Sequence, residues 1–294
     1  MSSNQSYYVP AQSKWPIVAT VGLLSIMVGM GSIMNASSAG NDTGTGWIIF
    51  YVGAAIMVYM LFGWFGNVIS ESRQGLYSAQ MDRSFRWGMS WFIFSEVMFF
   101  IAFFGALFYA RFFALPWLSG EGDRGSSNML WEGFEATWPL LQNPDPSKYP
   151  APTEVISAWG LPLLNTILLV TSSITLTIAH KALKNDNRKP AIIWTAITVA
   201  LGAVFMFFQI EEYIHAYDVG LTLQSGIYGS TFFILTGFHG AHVTLGAIIL
   251  LVMTIRLMKG HFSGGDHFGY EAASWYWHFV DVVWLALFVF VYII

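Results

Sequence analysis

Seven separate apolar runs leave this chain one kind of environment, a lipid bilayer crossed as helices. A helix rises 1.5 Å per residue, so about 20 residues cross a hydrocarbon core of about 30 Å. The runs lie at 16–35, 47–70, 87–113, 155–180, 191–213, 225–257 and 272–294. In hydrocarbon each backbone N–H and C=O must be satisfied within the structure, and uninterrupted apolar runs of this length do so as α-helices. The fourth run is the weakest, because Pro162 and Asn165 fall inside it. The sixth is long enough to tilt or to project beyond the lipid. Only 10% of the 294 residues are charged, against roughly 25% in soluble chains, so lipid must cover much of the surface. The expected class is an all-α, polytopic membrane protein with seven transmembrane helices. A net charge of -4 argues against a nucleic-acid partner. The absence of cysteine rules out disulfides, thiolate metal sites and cysteine nucleophiles. Residues 1–12 are polar and do not lead from a basic stretch into a short apolar run, so no cleaved leader is expected.

Basic residues set the orientation. Lys14, Arg73, Arg83, Arg86, Lys181, Lys184, Arg188, Lys189, Arg256 and Lys259, ten of the thirteen, fall on the N-terminal side or in the second, fourth and sixth loops. The first and fifth loops, at 36–46 and 214–224, hold none. The positive-inside rule then places the N-terminus in the cytoplasm and the C-terminus across the membrane. The third loop, 114–154, reads as an extended surface connection, with Pro144, Pro146, Pro150 and Pro152 following a Gly-rich start. Its acids make it a solvated segment or a docking patch for a basic partner. Tryptophans near run ends, among them Trp15, Trp47, Trp87, Trp159, Trp275 and Trp277, read as headgroup anchors.

Ionisable groups inside hydrocarbon are costly, so function is sought there first. Glu96 lies about nine residues into the third run, roughly 14 Å deep. Its helical neighbours Phe92, Ile93, Phe99 and Phe100 are all apolar. Desolvation disfavours a carboxylate there, which predicts a protonated group, open to a hydrophobic carbodiimide. A proton relay, a lipid or subunit contact, and an interhelical hydrogen bond all fit. Asp281 and His278 are three residues apart in the last run and read as a hydrogen-bonded pair. His239 and His242 share that spacing in the sixth run, among small residues that favour close packing over metal ligation. A single haem between His242 and His278 or His215 is open on spacing alone. Arg256 near the end of the sixth run reads as a lipid-phosphate contact or a topology anchor, and Glu71 and Arg73 carry the same two readings. The stretch from Gln209 to His215 is expected to face headgroups, water or a neighbour. A phosphate loop, a dinucleotide fingerprint and a nucleophile elbow are all missing. A stand-alone transporter fits the composition, but paired repeats and helices broken at midplane are not visible.

Five blocks taken together resemble subunit III of the haem-copper cytochrome c oxidases: IFSEVMFF at 93–100, PLLNT at 162–166, YGSTFF at 228–233, GFHGAHV at 237–243 and HFGYEAASWYWHFVDVVW at 267–284. The resemblance runs from the second span onward, with the first span and the third loop matching less closely. The longer third loop points to a bacterial aa3-type member. The resemblance implies a two-helix bundle (1–75) and a five-helix bundle (76–294) separated by a cleft filled with phospholipid. It implies that the chain has no catalytic centre and no metal or cofactor of its own. Haem and copper would lie in the partner subunits I and II. The whole complex would oxidise cytochrome c, reduce oxygen to water and pump protons across a bacterial plasma membrane. A quinol-oxidase version of the same subunit is the alternative. By resemblance Glu96 matches a buried family carboxyl and Arg256 a lipid-contacting arginine, with Trp64 and Glu71 as further lipid candidates. Phe65, Gly66 and Asn67 stand where some relatives carry Trp, Arg and Asp. The subunit would stabilise subunit I, bind structural lipids, support proton uptake and protect the complex during turnover.

Overall fold

Helices close their own backbone hydrogen bonds, and the computed structural model, which describes residues 8–9 and 11–294, folds every apolar run into one. They are α1 (Trp15–Ser38), α2 (Gly44–Arg73), α3 (Ala79–Leu118), α4 (Leu161–Lys184), α5 (Arg188–Asp218), α6 (Ile227–Met258) and α7 (Phe268–Ile293). Among the described residues there is no strand. Most of the polar lead at 1–12 lies outside the described residues. The fourth helix corrects its expected range. It starts at Leu161, not 155, and Pro162 occupies its first turn, where the missing N–H costs nothing. Proline therefore starts this span instead of interrupting it.

The chain divides into two units, Met1–Phe85 and Arg86–Ile294. In the first, α1 and α2 pack as a hairpin whose buried positions repeat every seven residues. These are Trp15, Gly22 and Gly29 on α1, and Gly46, Gly53 and Met60 on α2. A Cβ added at Gly29 would sit 2.6 Å from Phe50 N, and one at Gly53 2.7 Å from Ile26 N. Absent side chains let the two backbones meet, the usual means of helix association in lipid.

In the second unit α7 is central. It packs on α4 and α6, while α4 packs on α5 and α5 on α6. Within its most apolar window 56% of residues are buried, against 11% for each of α1, α2 and α3. Trp277 is fully buried, and its ring fills notches at Gly202 of α5 and Gly246 of α6. Its indole N–H donates to Ser172 Oγ on α4 at 2.9 Å. Trp284 does the same to Thr166 Oγ1 at 2.9 Å, and the hydroxyls of Tyr270 and Thr195 lie 2.7 Å apart. Trp15 and Trp277 are thus packing residues and not headgroup anchors, whereas Trp47, Trp87 and Trp159 are exposed. Arg188, opening α5, donates to the carbonyls of Leu257 and Met258 at the end of α6, a cation where the helix dipole favours one.

The segment after α3 is not the simple extended connection expected. It carries a short 3-10 helix, Gly125–Leu130, and its second half is tied to the turn between α5 and α6. Thr153 N–H donates to Val219 O at 2.9 Å, and Asn143 Nδ2 donates to Ser225 O at 3.0 Å. Leu140 is buried there, and Trp138 meets Tyr228 edge-on. Proline-rich composition gave rigidity, but the apolar residues between the prolines gave the segment a core to join.

Candidate functional site

Glu96 projects from α3 toward α6, where its Oε2 lies 2.9 Å from His242 Nε2. The apolar neighbours expected on its own helix are present, but the carboxyl is not isolated. Aromatic rings wall the imidazole: Phe100 at 5.1 Å, Phe99 at 5.9 Å and Tyr276 stacked at 6.3 Å. His242 Nδ1 lies 2.6 Å from Phe238 O. A carbonyl only accepts, so Nδ1 carries a proton. A single further proton is then shared between Nε2 and the carboxyl. Either Glu96 O–H donates to the ring, or an imidazolium donates to a carboxylate. Both arrangements leave the pair with no net charge, so burying it costs far less than burying an isolated ion.

His239, one turn away, serves a different neighbour. Its Nε2–H donates to Val280 O on α7 at 3.1 Å, and the ring lies against Phe205 and Trp284. The two histidines of α6 therefore face different helices and cannot share one ion. With both His242 nitrogens engaged, neither offers haem iron a lone pair. The direct His278–Asp281 hydrogen bond expected from their spacing is not made. Ser173 of α4 lies between them, 3.2 Å from His278 Nδ1 and hydrogen-bonded to Asp281. Residues i and i+3 share a helix face, but the larger gain is to bind the facing helix.

Arg256 is buried, with its guanidinium 4.2 Å above the Phe262 ring. Its Nε has no hydrogen-bond partner, and among the described residues no carboxylate closes a salt bridge with it. In the first unit, Glu71 accepts the Tyr77 hydroxyl at 2.9 Å. Burial first, and then this bond, push the Tyr77 hydroxyl above its ordinary value. Trp64 stacks on Phe65 at 5.3 Å and stays exposed.

One further buried acid lies in the stretch expected to face headgroups, water or a neighbour. Glu211 is exposed there, whereas Glu212 and Gln209 are buried against a neighbouring helix. Glu212 Oε1 accepts from Tyr292 of α7 at 2.5 Å and from Gln209 Nε2 at 3.3 Å. Gln209, Glu212 and Ala216 recur on the buried face of α5, and that three-to-four spacing was the signal available in the sequence.

Seven apolar helices joined by hydrogen bonds between their intramembrane polar groups define a polytopic helical membrane protein. The family model for cytochrome c oxidase subunit III matches residues 5–119 and 136–294, which takes in all seven helices. Proteins named cytochrome c oxidase subunit 3 are similar along nearly their whole length. The one from Prototheca wickerhamii is 38% identical, covering 97% of this chain and 96% of its own. That from Marchantia polymorpha is 38% identical, covering 99% and 97%. That from Latimeria chalumnae is 36% identical, covering 98% and 96%. The chain belongs to the cytochrome c oxidase subunit III family. The first span, expected to match less closely, lies inside the matched residues, and the unmatched stretch falls in the α3–α4 connection.

Proposed function

We propose that this chain is the non-catalytic third subunit of a haem-copper terminal oxidase, packed beside the subunits that carry haem and copper. The observation that carries this reading is the family match running through every span. The relatives are named for cytochrome c, which favours that donor over the quinol alternative. The complex would oxidise cytochrome c, reduce oxygen to water and pump protons, with the redox centres in subunits I and II. Engagement of the α6 histidines in helix contacts supports a chain without a redox centre. The distribution of basic residues supports a plasma-membrane protein with a cytoplasmic N-terminus, and the longer third loop supports a bacterial one.

The role is structural support for subunit I, binding of phospholipid and maintenance of proton uptake. Arg256 is a buried cation whose Nε lacks a partner and which closes no salt bridge among the described residues, Asp266 being its nearby carboxylate, and a lipid phosphate supplies a direct anionic partner. Trp64 and Glu71 are further lipid candidates. Affinity purification through a tag on this chain should bring down haem- and copper-bearing polypeptides. Recovery of the chain alone, with tightly held metal and turnover intact, would refute the assignment. In the assembled complex, Glu96→Gln keeps a hydrogen-bonding group and removes the titration. It should shorten turnover lifetime or slow proton uptake, and unchanged values of both, with unchanged lipid content, exclude a functional role for the Glu96 carboxyl.

A further inference from the structure

Where the end of α4 meets the start of α7, two imidazoles and a carboxylate converge. His180 comes from α4, and His267 and Glu271 from the first turn of α7 and the residue before it. One ligand atom from each lies within 4.8 Å of the other two. The His180 and His267 rings are 5.4 Å apart. Both Nε2 atoms are buried, and neither has a hydrogen-bond partner. Two buried nitrogens left unsatisfied side by side are costly. His267 Nδ1 lies 3.1 Å from Ser263 O, so Nδ1–H donates there and the lone pair falls on Nε2. That backbone carbonyl is the outer partner that orients a metal-binding histidine. Arg86 Nη1 holds Glu271 Oε2 at 2.7 Å, fixing the carboxylate one helical turn beyond His267.

We propose that His180, His267 and Glu271 bind a divalent cation of the zinc class. Two nitrogens and one oxygen are a common zinc set, and three protein ligands leave a fourth position for water. Tetrahedral ligands about 2.1 Å from zinc stand about 3.4 Å apart, so the three must close by about an ångström. The proposed site asks this of side-chain rotation. Calcium and magnesium prefer all-oxygen shells, and thiolate-seeking metals find no cysteine here. The cation crosslinks α4 to α7 beside the Arg86 anchor that holds α3.

The assembled complex tests this directly. It is stripped with a chelator, loaded with zinc alone and desalted, and metal content is read by mass spectrometry. Wild type should gain one zinc per copy of this chain, and His180→Gln and His267→Gln should each weaken retention at least about tenfold. Equal retention in wild type and both variants overturns the site. Should neither variant assemble, the zinc-edge X-ray absorption of loaded minus stripped wild type decides. Scattering from two imidazoles is expected. An all-oxygen shell, an adventitious ion only, or no zinc uptake at all overturns the proposal. Zinc itself is the readout, so the outcome is independent of the subunit's role in turnover.

Discussion

At the scale of the residue, each intramembrane acid is placed by the partner it finds. Position alone marked Glu96 as buried deep in an apolar helix. Its partner was not legible, because 146 residues separate Glu96 from His242 and nothing local says which face of α6 meets α3. For Glu212 the choice between headgroups, water and a neighbour stayed open for the related reason that a span end resembles a headgroup region until the facing helix is known. The Glu96–His242 geometry fixes an order of variant effects. Glutamine can still donate to the His242 lone pair, so Glu96→Gln should cost under about 1 kcal/mol. Glu96→Ala leaves the half-buried His242 Nε2 unpaired and should cost about 1–2 kcal/mol. Thermal unfolding of the purified complex measures both, and His242→Ala completes a double-mutant cycle. Equal losses for Gln and Ala would mean that the hydrogen bond holds nothing. Tyr77 gives a pH test. Its hydroxyl is raised in the folded state, so its contribution is intact below about pH 10, the ordinary tyrosine value. It is lost as pH rises toward the higher folded value. Ultraviolet titration of wild type minus Tyr77→Phe should show one tyrosine ionising above that value, and ionisation near 10 would contradict it.

Among the elements, the spans were legible and their packing only partly so. Hydropathy located all seven helices because lipid exposure demands long apolar runs, but it erred where polar chemistry marks an end. Pro162 reads as a break until its place in the first turn is known. Trp277 reads as an anchor until Gly202 and Gly246 are seen to make room for it. The seven-residue glycine spacing on α1 and α2 lay open in the sequence, yet lipid-facing and helix-facing apolar residues are alike in hydropathy. Glycines on one helix provide a matched test. A Cβ at Gly29 meets the backbone at Phe50, whereas one at Gly31 meets nothing within 4 Å. Gly29→Val should separate α1 from α2 and sharply lower the folded yield, with Gly31→Val close to wild type. The two valines carry the same β-branching cost, so the comparison isolates the contact. Protease cutting at the 39–43 turn, followed in membranes, reads the outcome, and equal cutting in both variants would deny the close approach its role.

Within the second unit, burial rises from 11% for α3 to 56% for α7, which leaves α3 the most uncovered surface there for lipid or companion subunits. For the whole molecule, if all seven candidate helices cross, the two ends of the chain fall on opposite sides, and the side is argued from charge. Ten of thirteen Lys and Arg residues fall at one set of ends, and moving them across a bilayer is what the positive-inside rule opposes. The chain has no cysteine, so a single introduced thiol reports its side without background. Ser147 lies in the exposed α3–α4 connection and Ser263 in the α6–α7 loop, at opposite membrane faces if every helix crosses. In intact cells an impermeant maleimide should label Ser147→Cys, while Ser263→Cys should react only after the membrane is opened. Labelling of both in intact cells would mean that one of the helices between them does not cross. The reverse pattern would keep seven crossings and invert the chain, leaving its basic ends outside against the charge rule. Either result would put the His180, His267 and Glu271 cluster, at the Ser263 end of the bundle, outside the cytoplasm.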